Sequence, residues 1–144
     1  MYEAAPALFT LDYSGSGQGA VLIANSYDVA MPRTEGVPSR PARHGEFLSI
    51  YANGLGETLE EVPVGSPAPL DHLVRLRNTV RVFVGGVAVA PDFAGVAPGE
   101  IGLYQINVAV PPEVPVGPAV PLRVEVGLGD GSTLASNEVT IAVE

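Results

Sequence analysis

The sequence predicts an all-β protein, an immunoglobulin-like antiparallel β-sandwich of about eight strands in a single domain spanning residues 1–144. Glycine and proline contribute 17 and 14 of the 144 residues, a proportion typical of many tight turns. Valine, whose β-branched side chain favours strands, occurs 21 times. Apolar and polar residues alternate through several short segments, and no 12-residue segment shows the helical period.

Each predicted strand is a short apolar or alternating segment that ends at a turn. Residues 119–126 alternate most clearly, with apolar residues on one face and Arg123 and Glu125 on the other. Gly85 and Gly86 separate two valine-rich segments, which predicts a hairpin because a type I′ turn needs positive φ at both central positions. The predicted strands are 18–24, 46–52, 78–84, 87–90, 101–110, 119–126 and 137–143, together with an extended apolar N-terminal segment at 1–11.

Two stretches rich in proline, glycine and charge are predicted to be long irregular loops, at residues 28–45 and 57–77. Loops of roughly 15–20 residues are uncommon in compact domains unless they bind something or are disordered. The two loops are therefore the predicted carriers of any ligand site.

Composition excludes several kinds of chemistry. There is no cysteine, so disulfides, thiolate metal sites and cysteine nucleophiles are absent. All seven cationic residues are arginine, which removes lysine-based covalent catalysis. The net charge of −9 opposes binding to a phosphate backbone, so no nucleic-acid partner is expected. No apolar run approaches 18 residues, so no transmembrane segment is predicted.

Candidate metal and catalytic groups are present but weak. Residues 12–17 resemble the front half of a calcium loop, yet Ile23 stands where a bidentate carboxylate is needed. The acidic residues of the second loop, with Asp71, are as readily explained by solvation as by a cation. The Asp71–His72 pair lacks a serine in a Gly-x-Ser-x-Gly elbow. No cofactor, metal or catalytic residue is therefore predicted, and the chain is expected not to be an enzyme.

Several short sequence motifs along the chain resemble those of a known family. They include Ala-Ala-Pro-Ala-Leu-Phe-Thr at 4–10, Ser-Gly-Ser-Gly-Gln-Gly-Ala at 14–20, Ile-Tyr-Ala-Asn-Gly-Leu-Gly at 50–56 and Ser-Asn-Glu-Val-Thr at 136–140. Together they resemble the Solibacter-type paralogous C-terminal domain of secreted bacterial proteins, and the second half is similar to the IPT/TIG immunoglobulin-like module. The resemblance implies a β-sandwich and an extracellular or cell-surface location, and it carries no activity.

The first functional prediction is a non-catalytic structural or interaction module of a secreted protein. Its partners would be other domains of a parent protein or copies of itself. The low charged fraction of 16% predicts apolar surface, and two arginine clusters, near residues 33–43 and 75–81, predict attraction to acidic surfaces. The interaction residues predicted on these grounds are Leu8, Phe9, Leu11, Arg40, Arg43, Arg75 and Arg77.

The apolar N-terminal segment suggests a sharper version of this prediction. Residues 4–11 have the character of a strand that completes an open sheet edge of the next subunit, which would build a filament. The alternative, which the sequence favours, is that these residues pair within their own sandwich.

The second functional prediction is a carbohydrate-binding or adhesion module that uses the long loops. Aromatic platforms usually carry sugar recognition, and this chain has no tryptophan. Tyr2, Tyr13 and Tyr27 lie in loop-like segments, and Tyr27 is predicted to carry this role. The other aromatic residues considered, Tyr51, Phe83, Phe93 and Tyr104, are assigned to packing in the core or between the sheets.

Overall fold

The computed structural model describes residues 4–63 and 65–144, which form two β-sheets and no helix. The predicted all-β sandwich is confirmed. Within the described ranges, nothing has the length and apolar character of a membrane-crossing helix. The strands are β1 (Ala7–Leu8), β2 (Val21–Ile23), β3 (Val29–Ala30), β4 (Ser39–Arg40), β5 (Phe47–Asn53), β6 (Thr79–Val84), β7 (Val87–Val89), β8 (Phe93–Val96), β9 (Tyr104–Ala109), β10 (Gly117–Gly127), β11 (Thr133–Ala135) and β12 (Val139–Val143).

The two sheets differ in their pairing. The first sheet has the order β4-β3-β2-β5-β9-β8, and β1 also pairs with β5. The second sheet has the order β11-β10-β6-β7, and β12 also pairs with β10. All these pairs are antiparallel except β3 with β4, so the first sheet is mixed rather than wholly antiparallel as predicted.

The described residues form twelve strands, whereas the sequence predicted about eight. Two of the additional strands, β3 and β4, lie inside the 28–45 stretch, so that part of the irregular-loop prediction was wrong. Two residues are too few to produce a detectable alternation. Strand β8 was missed because Ala94 and Gly95, in its middle, have little or no side chain to mark an apolar face.

The core lies between the inward faces of the two sheets. Leu48 and Ile50 of β5 are fully buried, as are Leu122 and Val124 of β10. Their outward neighbours are partly or wholly exposed, which matches the predicted alternation. Burying each such side chain contributes roughly 1.5–3 kcal/mol, so these strands supply much of the folding energy.

The outer edge of β12 is covered by two segments from the first half of the chain. Thr140 donates its N–H to the carbonyl of Gly17 and accepts from the N–H of Gly19, at 2.8 Å in both cases. Ala42 donates to Ala142 at 2.9 Å and accepts from Glu144 at 2.8 Å. Both contacts run parallel to β12, and they join the two sheets along one side of the sandwich.

The N-terminal segment pairs within its own chain. Ala7 and Leu8 lie opposite Asn53 and Ala52 of β5, and residues 1–3 of the predicted 1–11 segment lie outside the described residues. Asn137, before β12, accepts the Leu8 N–H at 2.7 Å and donates to the Leu8 carbonyl at 3.0 Å. This arrangement matches the alternative that the sequence favoured over exchange with a neighbour.

Candidate functional site

A cleft of about 750 Å³ lies at the end of the sandwich that follows β5. Its lining is mainly apolar and includes charged groups. The apolar lining comprises Leu59, Val62, Pro63, Val96, Ile101 and Tyr104, and the polar lining includes Glu57, Thr58, Glu61, Ser66 and Arg77.

The stretch 57–77, predicted to be irregular, extends the first sheet at the β8 edge. Leu76 donates its N–H to the Ala94 carbonyl at 3.0 Å, which places residues 74–76 beside β8. Leu59 in turn donates to the Arg75 carbonyl at 2.8 Å, which places residues 57–59 outside residues 74–76. Backbone pairing therefore holds one wall of the cleft in a defined position.

A small second core supports this stretch. Ala68, Val74 and Val96 are buried together, and Val62 packs against them. Tyr104 packs against both this cluster and the main core, and its hydroxyl donates to the Gly56 carbonyl at 2.8 Å. Tyr104 therefore joins residues 57–77, the cleft-bearing stretch, to the sandwich.

Glycine is required at the turn after β5, where the chain begins to line the cleft. Gly54 has φ of 71°, and a Cβ there would lie 2.1 Å from the carbonyl oxygen of Ala5. The Ala5 N–H donates to the Gly54 carbonyl at 2.7 Å, so the N-terminal segment packs directly on this turn. Gly56 also has positive φ, 101°, and lines the cleft. Such backbone geometry disfavours any side chain.

The charged groups around the cleft are mainly carboxylates. Glu57 pairs with Arg77 at 3.5 Å, and each side chain is half exposed or more, so the pair contributes little stability. Glu61 lines the cleft and makes no ion pair with any described residue. The lining of the cleft therefore combines solvated charged groups with apolar side chains.

His72 links two parts of the cleft-bearing stretch through contacts with Glu60 and Asp71. His72 Nε2 lies 2.8 Å from an oxygen of Glu60, and Nδ1 lies 2.8 Å from an oxygen of Asp71. The protonated ring donates from both nitrogens. Hydrogen bonding to Glu60, and then to Asp71, raises the pKa of His72 above its usual 6.5. The hydrogen bond between His72 and Asp71 also lowers the pKa of the Asp71 carboxyl.

We expect this contact to weaken as the pH rises. The pKa of His72 is higher in the folded state, so its stabilisation is complete below pH 6.5 and is lost as the pH rises through the folded-state pKa. Titrating the imidazole protons by NMR should give a pKa above 6.5 that falls towards 6.5 in Glu60→Gln. The control Glu61→Gln should leave it unchanged, and an unshifted pKa in the native protein would contradict the contact.

A second, smaller hollow of about 310 Å³ lies on the outer face of the first sheet. Tyr51 of β5 and Gln105 of β9 are opposite each other in register and line it with Glu100 and Leu103. The assignment of Tyr51 to packing between the sheets was wrong, because the ring lies on the outward face of β5, partly exposed.

The structure does not bring the predicted interaction residues together. Leu8 is buried, Phe9 is partly buried, and Leu11 is 40% exposed. Tyr27 is 91% exposed in the turn after β2, near the start of β5. The cleft follows the other end of β5, so Tyr27 and the cleft are at opposite ends of the sandwich.

The four predicted arginines have separate environments. Arg40 pairs with Asp28 at 3.3 Å and with Glu46 at 2.8 Å, and Arg43 pairs with Glu144 at 3.3 Å. Arg43 therefore meets the acidic final third of the chain, and so does Arg33 of the same cluster, which lies 3.8 Å from Glu144. Arg75 lies over the Phe93 ring, 5.4 Å from its centroid, and Arg77 lines the cleft.

The weak metal candidates do not assemble into a site. The residues that the structure describes contain no group of three or more histidine or carboxylate side chains arranged to hold a metal ion. Asp12 instead accepts hydrogen bonds from the backbone N–H and hydroxyl of Ser14, which lowers the pKa of its carboxyl. This pattern is that of an Asx turn.

Comparisons with known proteins give no relative for this chain. No family model, no curated protein and no solved structure matches it. The family resemblance of the sequence therefore stays a prediction.

Proposed function

We propose that this chain is a non-catalytic interaction module and that the cleft beside residues 57–59 is its binding surface. The observation that carries the proposal is the pair Leu59 and Ile101, which line the cleft and are each 61% exposed. Large apolar side chains that converge on one concavity are typical of binding sites. The partner is another domain of a parent protein or a second copy of the chain.

The chemistry of the cleft supports binding rather than catalysis. Its aliphatic hydroxyl groups belong to Thr58 and Ser66, and the Thr58 hydroxyl donates to the Glu60 carbonyl rather than to a base, as the Tyr104 hydroxyl donates to the Gly56 carbonyl. A hydroxyl nucleophile needs an adjacent general base. An extracellular or cell-surface location is part of the proposal and is supported by the sequence resemblance alone. Separating the producing cells into medium, envelope and cytosol tests it, and recovery only from the cytosol would contradict it.

An apolar probe tests the cleft without knowledge of the partner. Titrating methyl-labelled protein with cyclohexanol should shift the methyl signals of Leu59, Val62 and Ile101 in a saturable way, and Ile101→Ser should weaken binding. Val116 is 63% exposed beyond the opposite end of β6, so Val116→Ser is the matched control and should bind normally. Shifts that do not saturate, or that are equal at Val116, would contradict the proposed binding surface.

Carbohydrate binding is a second candidate, and the hollow at Tyr51 favours it. A partly exposed ring beside the amide of Gln105 and the carboxylate of Glu100 combines a stacking surface with hydrogen-bonding groups. A glycan array compares native protein with Tyr51→Ala and Tyr27→Ala. If only Tyr51→Ala abolishes glycan binding, the hollow at Tyr51 is the binding site; if only Tyr27→Ala does, the loop at Tyr27 is the site. An array on which the native protein binds no glycan would exclude carbohydrate binding.

A further inference from the structure

We infer that the cleft accepts an extended peptide segment that carries an apolar side chain next to a lysine or arginine. This inference rests on the proposed function, because it names the class of partner that the same cleft takes. Three features of the described residues support it: the shape of the apolar walls, the excess of carboxylates and an unpaired backbone edge.

The apolar walls fit a side chain rather than a flat surface. Leu59 and Ile101 rise at the rim, whereas Val96 is buried within the small core. An apolar group that enters between them would cover the exposed parts of both rim residues. Burial of such area is the main favourable term in binding, at roughly 25 cal/mol per Å². The cleft volume of about 750 Å³ is ample for one or two such side chains.

The net charge around the cleft determines which sign of charge the partner should carry. Residues 57–77 and 96–104 contain five carboxylates and two arginines, so this end of the molecule is net negative. Arg75 lies over Phe93, and Arg77 pairs with Glu57. Glu61 is left without a cationic partner among the described residues. A cationic side chain is attracted to this rim, and an anionic one is repelled.

The backbone of Thr58 favours an extended partner. The carbonyl of Glu57 and the N–H of Leu59 point inward to the 75–77 segment, with bonds of 2.8 Å. The N–H and carbonyl of Thr58 therefore point away from it, and among the described residues they have no backbone partner. An exposed strand edge of this kind pairs with an added extended peptide.

Synthetic peptides test the inference on the full chain. The first is an acetylated nine-residue peptide of alternating threonine and apolar residues that carries two arginines. Two matched peptides replace the arginines by glutamates, or methylate the backbone nitrogens that face the protein. Binding is measured by anisotropy and by the methyl signals of Leu59 and Ile101. We expect the arginine peptide to bind about tenfold more tightly than the glutamate peptide and also more tightly than the methylated one.

Variants connect binding to the cleft. Ile101→Ser should weaken the arginine peptide about fivefold or more, and Glu61→Gln should reduce the preference for arginine over glutamate by roughly threefold. Val116→Ser should leave both values unchanged. Equal binding of the arginine and glutamate peptides would overturn the charge preference, and unimpaired binding of the methylated peptide would overturn the extended mode. The proposed function survives both results if cyclohexanol still binds in the cleft, and it fails if neither probe does.

Discussion

Replacing Asn137 by alanine should lower the free energy of unfolding by about 3 kcal/mol, because three hydrogen bonds of roughly 1 kcal/mol each are lost. The side chain accepts from the Leu8 N–H and donates to the carbonyls of Leu8 and Gly15. Leu8 is only 4% exposed, so its backbone groups gain little compensation from water. Chemical denaturation gives the measurement.

Two further variants test whether the destabilisation comes from the hydrogen bonds of Asn137 and not from replacing any asparagine. Asn53, at the end of β5, is exposed and makes no side-chain hydrogen bond with described residues, so Asn53→Ala should change stability little. Asn137→Asp keeps the acceptor for the Leu8 N–H but faces two carbonyl oxygens with a carboxylate. We expect it to be at least as destabilising as Asn137→Ala. A small effect of either substitution at position 137 would show that water replaces the amide.

The Asn137 contact also decides how the strand-exchange hypothesis is tested. Leu8 is held on β5 and by Asn137, so exchange of residues 4–11 requires that both contacts break. Light scattering should therefore give more dimers or larger species for Asn137→Ala than for native protein if exchange occurs. Deleting residues 1–11 should then abolish those species while leaving a folded monomer. Assembly that persists after the deletion would exclude this segment as the donor strand.

Gly95→Ala should have a similarly large effect, confined to the cleft end of the molecule. A Cβ on Gly95 would lie 2.0 Å from the carbonyl oxygen of Val74 and 2.8 Å from the ring of Phe93. Residues 74–76 must therefore move away from β8, which breaks their hydrogen bonds to β8 and displaces residues 57–59, which are bonded to them. We expect a loss of roughly 2–3 kcal/mol, typical of overpacking at a site that cannot relax.

Hydrogen exchange locates the damage. In Gly95→Ala, the amides of Leu59, Leu76 and Val96 should exchange faster, while those of β10 should remain protected. Gly129 has open space around its Cα, so Gly129→Ala is the matched control and should exchange like native protein. Uniform loss of protection in Gly95→Ala would mean that the cleft-bearing stretch and the sandwich unfold together.

Alternation allowed the strands with one buried face to be predicted. Strand β10 shows this best, since Leu122, Val124 and Val126 are buried and Arg123 is turned outward over the ring of Phe83. The Gly85–Gly86 hairpin was also predicted, because only glycine readily adopts the positive φ that both positions have. These features depend on local geometry, which sequence records directly.

The cleft was not predictable because its parts are distant in sequence. Leu59 is flanked by polar residues and Ile101 begins the predicted strand 101–110, so nothing local indicates that they face the same space. Tyr104 was assigned to packing, which is correct in part, yet its role in holding the stretch at Gly56 depends on a contact across 48 residues. Only the length of the 57–77 stretch signalled that this region was unusual.

The parallel contacts on β12 have a consequence for how the protein is expected to respond to tension. If force is applied through its two ends, residues 17–19 are pulled in one direction and β12 in the opposite direction, along the axis that they share. The hydrogen bonds of Thr140 with Gly17 and Gly19, and of Ala42 with Ala142 and Glu144, are then loaded together in shear. Bonds loaded together must break at once, whereas bonds at a peeling end break one by one. We therefore expect this edge to resist tension along β12 in the manner of a mechanical clamp.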